Sequence, residues 1–205
     1  MGLKDLKIQD EYRTQGMQSQ IAELETLAYY AKKFQRLRVD RAHGVAPHKP
    51  ILMLSVIESF AKGKITENRI ELSGSLNQTF LKNWSYLGSP CHNPDIARPF
   101  FHMKSGKFWH LYANPGFEKV LAAKIKLKTL AEVKQAISHA YLDEDLFDFL
   151  LDASIRESLL AVLVGRWFPG RLAEVKEILQ TDEFQEPPDY FLEAYAMYMD
   201  RLNEV

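Results

Sequence analysis

Between residues 37 and 54 the chain reads Leu37-Arg-Val-Asp-Arg-Ala-His-Gly-Val-Ala-Pro-His-Lys-Pro-Ile-Leu-Met-Leu54. Gly44, Pro47 and Pro50 all fall within this stretch. Proline locks φ and has no N–H, whereas glycine accepts positive φ, so few backbone paths are open to such a loop. It joins a basic helix end to an apolar helix in which Ile51, Leu52, Leu54, Val56 and Ile57 are core and Pro50 sits near the first turn. A core role explains the apolar residues but not the pair His48-Lys49 or the basic run before it. Two cation-capable side chains at a helix start suit anion capture, because free N–H groups and the helix dipole already favour negative charge there.

Hydrophobic periodicity sets out the rest. Ile21, Leu24, Leu27, Ala28, Ala31, Phe34 and Leu37 recur at spacings of three and four, which predicts a helix over 18–38 after a polar lead-in, 1–16. A buried helix over 51–60 ends at Lys62-Gly63. Residues 69–72 read as a short strand, and Leu76, Phe80, Leu81 and Trp84 as an amphipathic helix. Pro90, Asn93, Pro94 and Pro99 mark a loop over 88–99. Phe100-Phe-His-Met-Lys-Ser-Gly-Lys-Phe-Trp-His-Leu-Tyr112 alternates about Ser105-Gly106, a hairpin signal. Helices are expected over 115–125, 129–140, 143–152, 154–167, 171–180 and 188–203. The expected fold is mainly α with a small β element, an α-rich α+β domain over 17–168. An acidic helical segment, 169–205, would pack on it.

The net charge of −1 conceals a strong asymmetry. Residues 1–128 hold 20 Lys+Arg against 11 Asp+Glu, and residues 129–205 hold 6 against 16. Such a basic half points towards a polyanion, most often nucleic acid; the competing explanation is that the two halves neutralise each other across an internal interface. A single cysteine, Cys91, excludes an internal disulfide and a cysteine-based zinc site, and fits a cytoplasmic setting. The polar start lacks the apolar core of a signal peptide, and no apolar run reaches membrane-spanning length.

A second candidate site is Arg98-Pro99-Phe100-Phe101-His102. Read as a strand, Phe100 and His102 share one face with Phe101 opposite, so proline, aromatic and imidazole surface would lie between Arg98 and Lys104. Such a wall is both cationic and apolar. An ordinary phosphate oxygen wants donors, whereas a larger, poorly hydrated anionic atom tolerates apolar walls. Phe101 by itself reads better as core.

Gly44-Val-Ala-Pro-His-Lys-Pro, followed in order by Gly63-Lys-Ile-Thr-Glu-Asn-Arg-Ile, the Phe80…Trp84 helix, Arg98-Pro-Phe-Phe-His-Met and Gly106-Lys-Phe-Trp-His-Leu, resembles the sulfur-binding domain of phosphorothioation-dependent restriction endonucleases of the HNH type. The likeness covers about residues 30–168. It implies a mainly helical domain that binds duplex DNA in which sulfur replaces one non-bridging phosphate oxygen. It places Pro99, with Arg98, Phe100 and His102, around the sulfur, faced by His48 and Lys49. Members of that family often carry tyrosine before the proline; this chain has Arg98. Arg38, Arg41, His43, Lys104, Lys107, Lys124 and Lys126 are expected to contact phosphates.

The expected partner is therefore phosphorothioated double-stranded DNA, bound by a monomer or homodimer, with a nuclease domain supplied in cis or in trans and no membrane. No catalytic residue, metal ligand or cofactor is expected on this chain, because an HNH module needs closely placed histidines and none follows His139. Two alternatives stay open. One is a metal-dependent endonuclease built on Pro94-Asp95 and Glu132-Val-Lys134. The other is a helical protein-interaction domain. Asp143-Glu144-Asp145 reads as a helix start, where acids stabilise the dipole, and not as a metal site.

Overall fold

The computed structural model describes residues 3–122, 127 and 129–180. It is mainly α with one two-stranded antiparallel sheet. The order is α1 (Leu3–Gln35), α2 (His48–Ala61), α3 (Gly74–Leu87), α4 (Ala97–His102), a 3-10 turn (Met103–Gly106), β1 (Trp109–Ala113), α5 (Glu118–Ala122), α6 (Leu130–Ala136), β2 (Ile137–Leu142), α7 (Glu144–Leu151), α8 (Ala153–Trp167) and α9 (Leu172–Gln180). No helix among the described residues is long and apolar enough to cross a membrane.

The central element is α2. Its residues 50–60 are all buried, and α3, α4, α7 and α8 pack around it. A helix apolar on all sides must be enclosed in this way. The helix starts follow local chemistry: the Ser73 hydroxyl accepts from Leu76 N to start α3, and Asp152 accepts from Ile155 N to start α8. Thr129 and Glu132 form a reciprocal capping box at α6, satisfying two N–H groups that the helix itself leaves unpaired. Tyr30 donates to Asp143 Oδ2 at 3.1 Å while His110 Nε2 lies 2.6 Å from Oδ1, so one carboxylate ties α1, β1 and the start of α7 together. Burial and that carboxylate push the Tyr30 hydroxyl well above its ordinary pKa.

Several expected elements are corrected. There is no hairpin over 100–112: residues 97–102 are helical, and β1 pairs with β2, far along the chain. Pro99 is compatible with a helix because it stands in the first turn, where an N–H has no intrahelical partner. Asp95 Oδ1 accepts from Ala97 N at 2.9 Å and so favours that turn. Gly106 is required because a Cβ there would sit 2.6 Å from the Phe108 ring. Lys107, at φ 65°, then turns the chain into β1. Phe100 and His102 therefore do not share a strand face.

The helix expected over 129–140 stops at Ala136, and β2 follows. Val133, Ile137 and Ala140 are all buried at helical spacing, but a register irregularity at Tyr112/Ala113 lets a strand bury Ile137, Ala140 and Leu142 instead. The strand expected over 69–72 is reduced to one bridge, Ile70 to Ala140. The first helix begins at Leu3, within the expected lead-in, and ends at Gln35; α5 begins at Glu118, later than the expected 115, and residues 123–126 lie outside the described residues. The helix expected over 188–203, and hence most of the acidic segment 169–205, lies outside the described residues.

Candidate functional site

The loop between α1 and α2 passes Gly44 at φ 90°, a left-handed conformation that glycine adopts without strain. The loop is held by Ala46 N donating to Asp40 O at 2.9 Å and Ala42 N donating to Asp40 Oδ1 at 2.9 Å. It ends at Pro47, the N-cap of α2, which supplies no side-chain cap, and the first turn carries no acid. The first N–H groups of α2 therefore have neither a helical nor a side-chain partner, and this helix end is electropositive.

A cleft of about 830 Å³ opens against this helix end. The α1–α2 loop contributes Arg38, Val39, Asp40 and Ala46, and the start of α2 contributes His48 and Lys49. The loop before α4 supplies Cys91, His92, Asn93, Pro94 and Asp95. From α4 and the 3-10 turn come Arg98, Pro99, His102 and Ser105, and from the start of α6 Thr129 and Leu130. Two stretches some fifty residues apart are thus brought to one opening, because α2 packs on α4.

Direct bonds join the two walls. Lys49 Nζ donates to His102 O at 2.8 Å and to Ser105 Oγ at 3.0 Å. An ammonium has three N–H donors, so one remains for a ligand. Burial, with Arg38 adding a like charge, pulls the Lys49 pKa down to about 8. Across the cleft, His48 Nε2 lies 2.8 Å from the Asn93 carbonyl, which can only accept, so this nitrogen carries the hydrogen. The ring packs 4.5 Å from Trp84 and 5.7 Å from His92. Burial holds its pKa below the ordinary imidazole value. In the neutral ring Nδ1 is then an acceptor, and protonation turns it into a second donor.

Five of the six residues expected around a sulfur, His48, Lys49, Arg98, Pro99 and His102, line this cleft. The sixth, Phe100, does not: it is fully buried and packs edge-on to Trp109 at 5.3 Å. The phosphate set divides. Arg38 lines the cleft, while Arg41 and His43 are exposed on the α1–α2 loop. Lys104 lies 4.0 Å over the Phe101 ring, and burial lowers its pKa. Lys107 is exposed after the 3-10 turn, and Lys124 and Lys126 lie outside the described residues.

Sequence reasoning missed His92, Asn93 and Leu130. The only signal for the first two was the density of breakers in the 88–99 loop, which marks a turn but not its contacts. Of the candidate nuclease acids, Asp95 accepts from the backbone N–H groups of Ala97 and Arg98 at the start of α4, and Glu132 completes the capping box of α6. Among the described residues no group of three or more His, Cys, Asp or Glu side chains is placed to hold a metal ion. No protein-family model matches this chain, and no curated protein is significantly similar to it.

Proposed function

We propose that this protein binds duplex DNA carrying a phosphorothioate and reads the sulfur in the cleft, as the recognition part of a modification-dependent restriction system. The lining carries this reading: Arg38, His48, Lys49 and Arg98 share one opening with Val39, Ala46, Pro94, Pro99 and Leu130. Replacing oxygen by sulfur keeps the negative charge, enlarges the atom and weakens its hydration. The cations and the open end of α2 supply affinity for either backbone. The apolar wall supplies the difference, for which Pro94 and Leu130 take the place expected of Phe100.

By analogy with one methylene in a pocket, that difference amounts to about 1–3 kcal/mol. Most of the total affinity is phosphate electrostatics and weakens steeply with salt, because binding releases counterions from the duplex. The linkage is chiral, so one stereoisomer turns its sulfur to the wall and the other turns oxygen there.

The test is fluorescence anisotropy at several salt concentrations, using duplexes that differ by a single sulfur in a defined stereoisomer. Tighter binding to one stereoisomer, with every curve weakening in salt, is the expected result. Equal binding to all duplexes would leave a general DNA-binding domain, and no salt-sensitive binding at all would sink the DNA reading.

A further inference from the structure

We infer that the cleft forms a covalent imine, through the Lys49 amine, with an aldehyde that carries a phosphate; this rests on the cleft as an anion site and not on its preference for sulfur. Lys49 Nζ donates to His102 O at 2.8 Å and to Ser105 Oγ at 3.0 Å. An uncharged amine has two N–H groups and one lone pair. Those two acceptors take both N–H groups, so the remaining tetrahedral position, which holds the lone pair, is left to the cleft that Lys49 lines. A lysine becomes a nucleophile when it is desolvated or set beside another cation. Lys49 meets both conditions, since burial and the Arg38 charge bring its pKa down to about 8. At pH 7.5 about a quarter of it is then uncharged, against about one part in a thousand for an ordinary lysine. The carboxylates at the opening do not hold its proton: Asp40 and Asp95 bond to backbone N–H groups instead. Lys82 is buried too, but Glu58 keeps it charged.

The rest of the lining sets the class of aldehyde. The open start of α2, with Arg38 and Arg98, favours an anion beside the amine, and a phosphate offers several acceptor oxygens to that set of donors. Two sources share this chemistry: a free phosphorylated aldehyde, and the ring-opened sugar of an abasic site in DNA, which has a phosphate on either side. In the reaction the lone pair attacks the carbonyl carbon and the C=O π pair moves to oxygen. A proton passes from nitrogen to that oxygen through the Ser105 hydroxyl, giving a carbinolamine. The nitrogen lone pair then forms the C=N bond, and the hydroxyl leaves as water with a proton from solvent. The iminium keeps one N–H for His102 O.

The experiment incubates the full chain with sodium cyanoborohydride and one of three probes: a duplex with a single abasic site, glycolaldehyde phosphate, or glycolaldehyde. Hydride transfer to the imine carbon leaves a stable secondary amine, and mass spectrometry of a digest locates the labelled lysine. Lys49 is expected to label about tenfold or more faster than exposed lysines at pH 7.5. Phosphate-bearing probes should label it faster than glycolaldehyde, and inorganic phosphate should slow them. The rate should rise with pH around 8 and not in the ordinary lysine range. Lys49→Arg removes this label, because a guanidinium stays charged and offers no free lone pair. Ser105→Ala slows it several-fold, and a thermal melt checks that both variants are folded.

Labelling by the abasic duplex alone would assign the aldehyde to DNA, and labelling by glycolaldehyde phosphate alone would assign it to a small molecule; the inference stands in either case. Label spread over exposed lysines with no preference for Lys49 would overturn it. So would equal rates at Lys49 for glycolaldehyde and its phosphate. Lys49 labelled in a protein that shows no preference for phosphorothioate would support the inference while overturning the sulfur reading. A sulfur reader whose Lys49 stays unlabelled would do the opposite.

Discussion

The two ends of α2 treat charge in opposite ways. At its start, His48 and Lys49 face a cleft shared with Arg38 and Arg98, and the first turn carries no acid. At its end, Glu58 is 2% exposed and pairs with both Lys62 and Lys82. Lys82 also donates to Ile178 O at 3.1 Å, and Asn83 donates to Glu58 Oε2 at 3.0 Å, joining α2, α3 and α9. Two lysines of the basic half thus share one internal carboxylate. At the other end of the same helix, Lys49 has no carboxylate partner among the described residues; its bonds go to His102 O and Ser105 Oγ. A count of charges along a chain overstates what a polyanion can feel; only cations lacking an internal counterion contribute.

The largest expected effect comes from breaking the neutralised end. Glu58→Ala leaves Lys82 buried beside a vanished partner and should lower stability by about 3–5 kcal/mol, read by urea unfolding. The contrast predicts that the surviving folded protein keeps its sulfur preference. Loss of preference with little loss of stability would show that the two ends are not separate in function.

At the cleft end, Pro99→Gly should reduce the preference for sulfur by about 1–3 kcal/mol while affinity for the unmodified duplex holds, measured by anisotropy on paired duplexes. Lys49→Ala should instead weaken both duplexes and make the salt slope shallower by roughly one unit per lost phosphate contact. A selective loss on the modified duplex would reverse the roles given to Lys49 and Pro99.

The depressed pKa of Lys49 gives two trends of opposite sign. Anion binding should weaken as pH rises through about 8, where the free protein's Lys49 loses its charge. Stability of the free protein should rise between that point and the ordinary lysine pKa, because there the unfolded chain holds a proton that the folded one has released. Paired titrations of binding and of urea midpoint from pH 7 to 10 would test this, and parallel trends would count against it. The smallest effect is expected from Arg41→Ala on the exposed loop: a few-fold loss on every duplex alike, in keeping with a single screened phosphate contact.

Much of the helical framework was legible in the sequence. The apolar run from Ile51 is a helix buried on all sides, and the helix expected from residue 129 does start there, capped by Thr129. The errors concentrate where two periods coincide. Val133, Ile137 and Ala140 fit a helix, yet Ile137 and Ala140 are buried from a strand because β1 is there to pair with it. Residues 100–112 alternate as a hairpin would, yet Asp95 and the tolerance of a first helical turn for Pro99 favour a helix. That same error put Phe100 on a ligand wall, whereas the helix directs it to Trp109.

The chain by itself determined the chemistry available: a constrained loop carrying His48 and Lys49, a basic first half, and Arg98-Pro99 next to aromatic core. These are local properties of composition and backbone restriction, present before any folding. Only the tertiary structure decided which of these groups meet and which are spent. Packing of α2 on α4 sets Lys49 against His102 and Ser105, and the fold brings in His92, Asn93 and Leu130, whose place in a site no sequence pattern marked. Packing of α3 beside the far end of α2 consumes Lys82 on Glu58. Electrostatic and apolar contacts act over a few ångströms of space without regard to separation along the chain, so the site belongs to the fold that closes those distances.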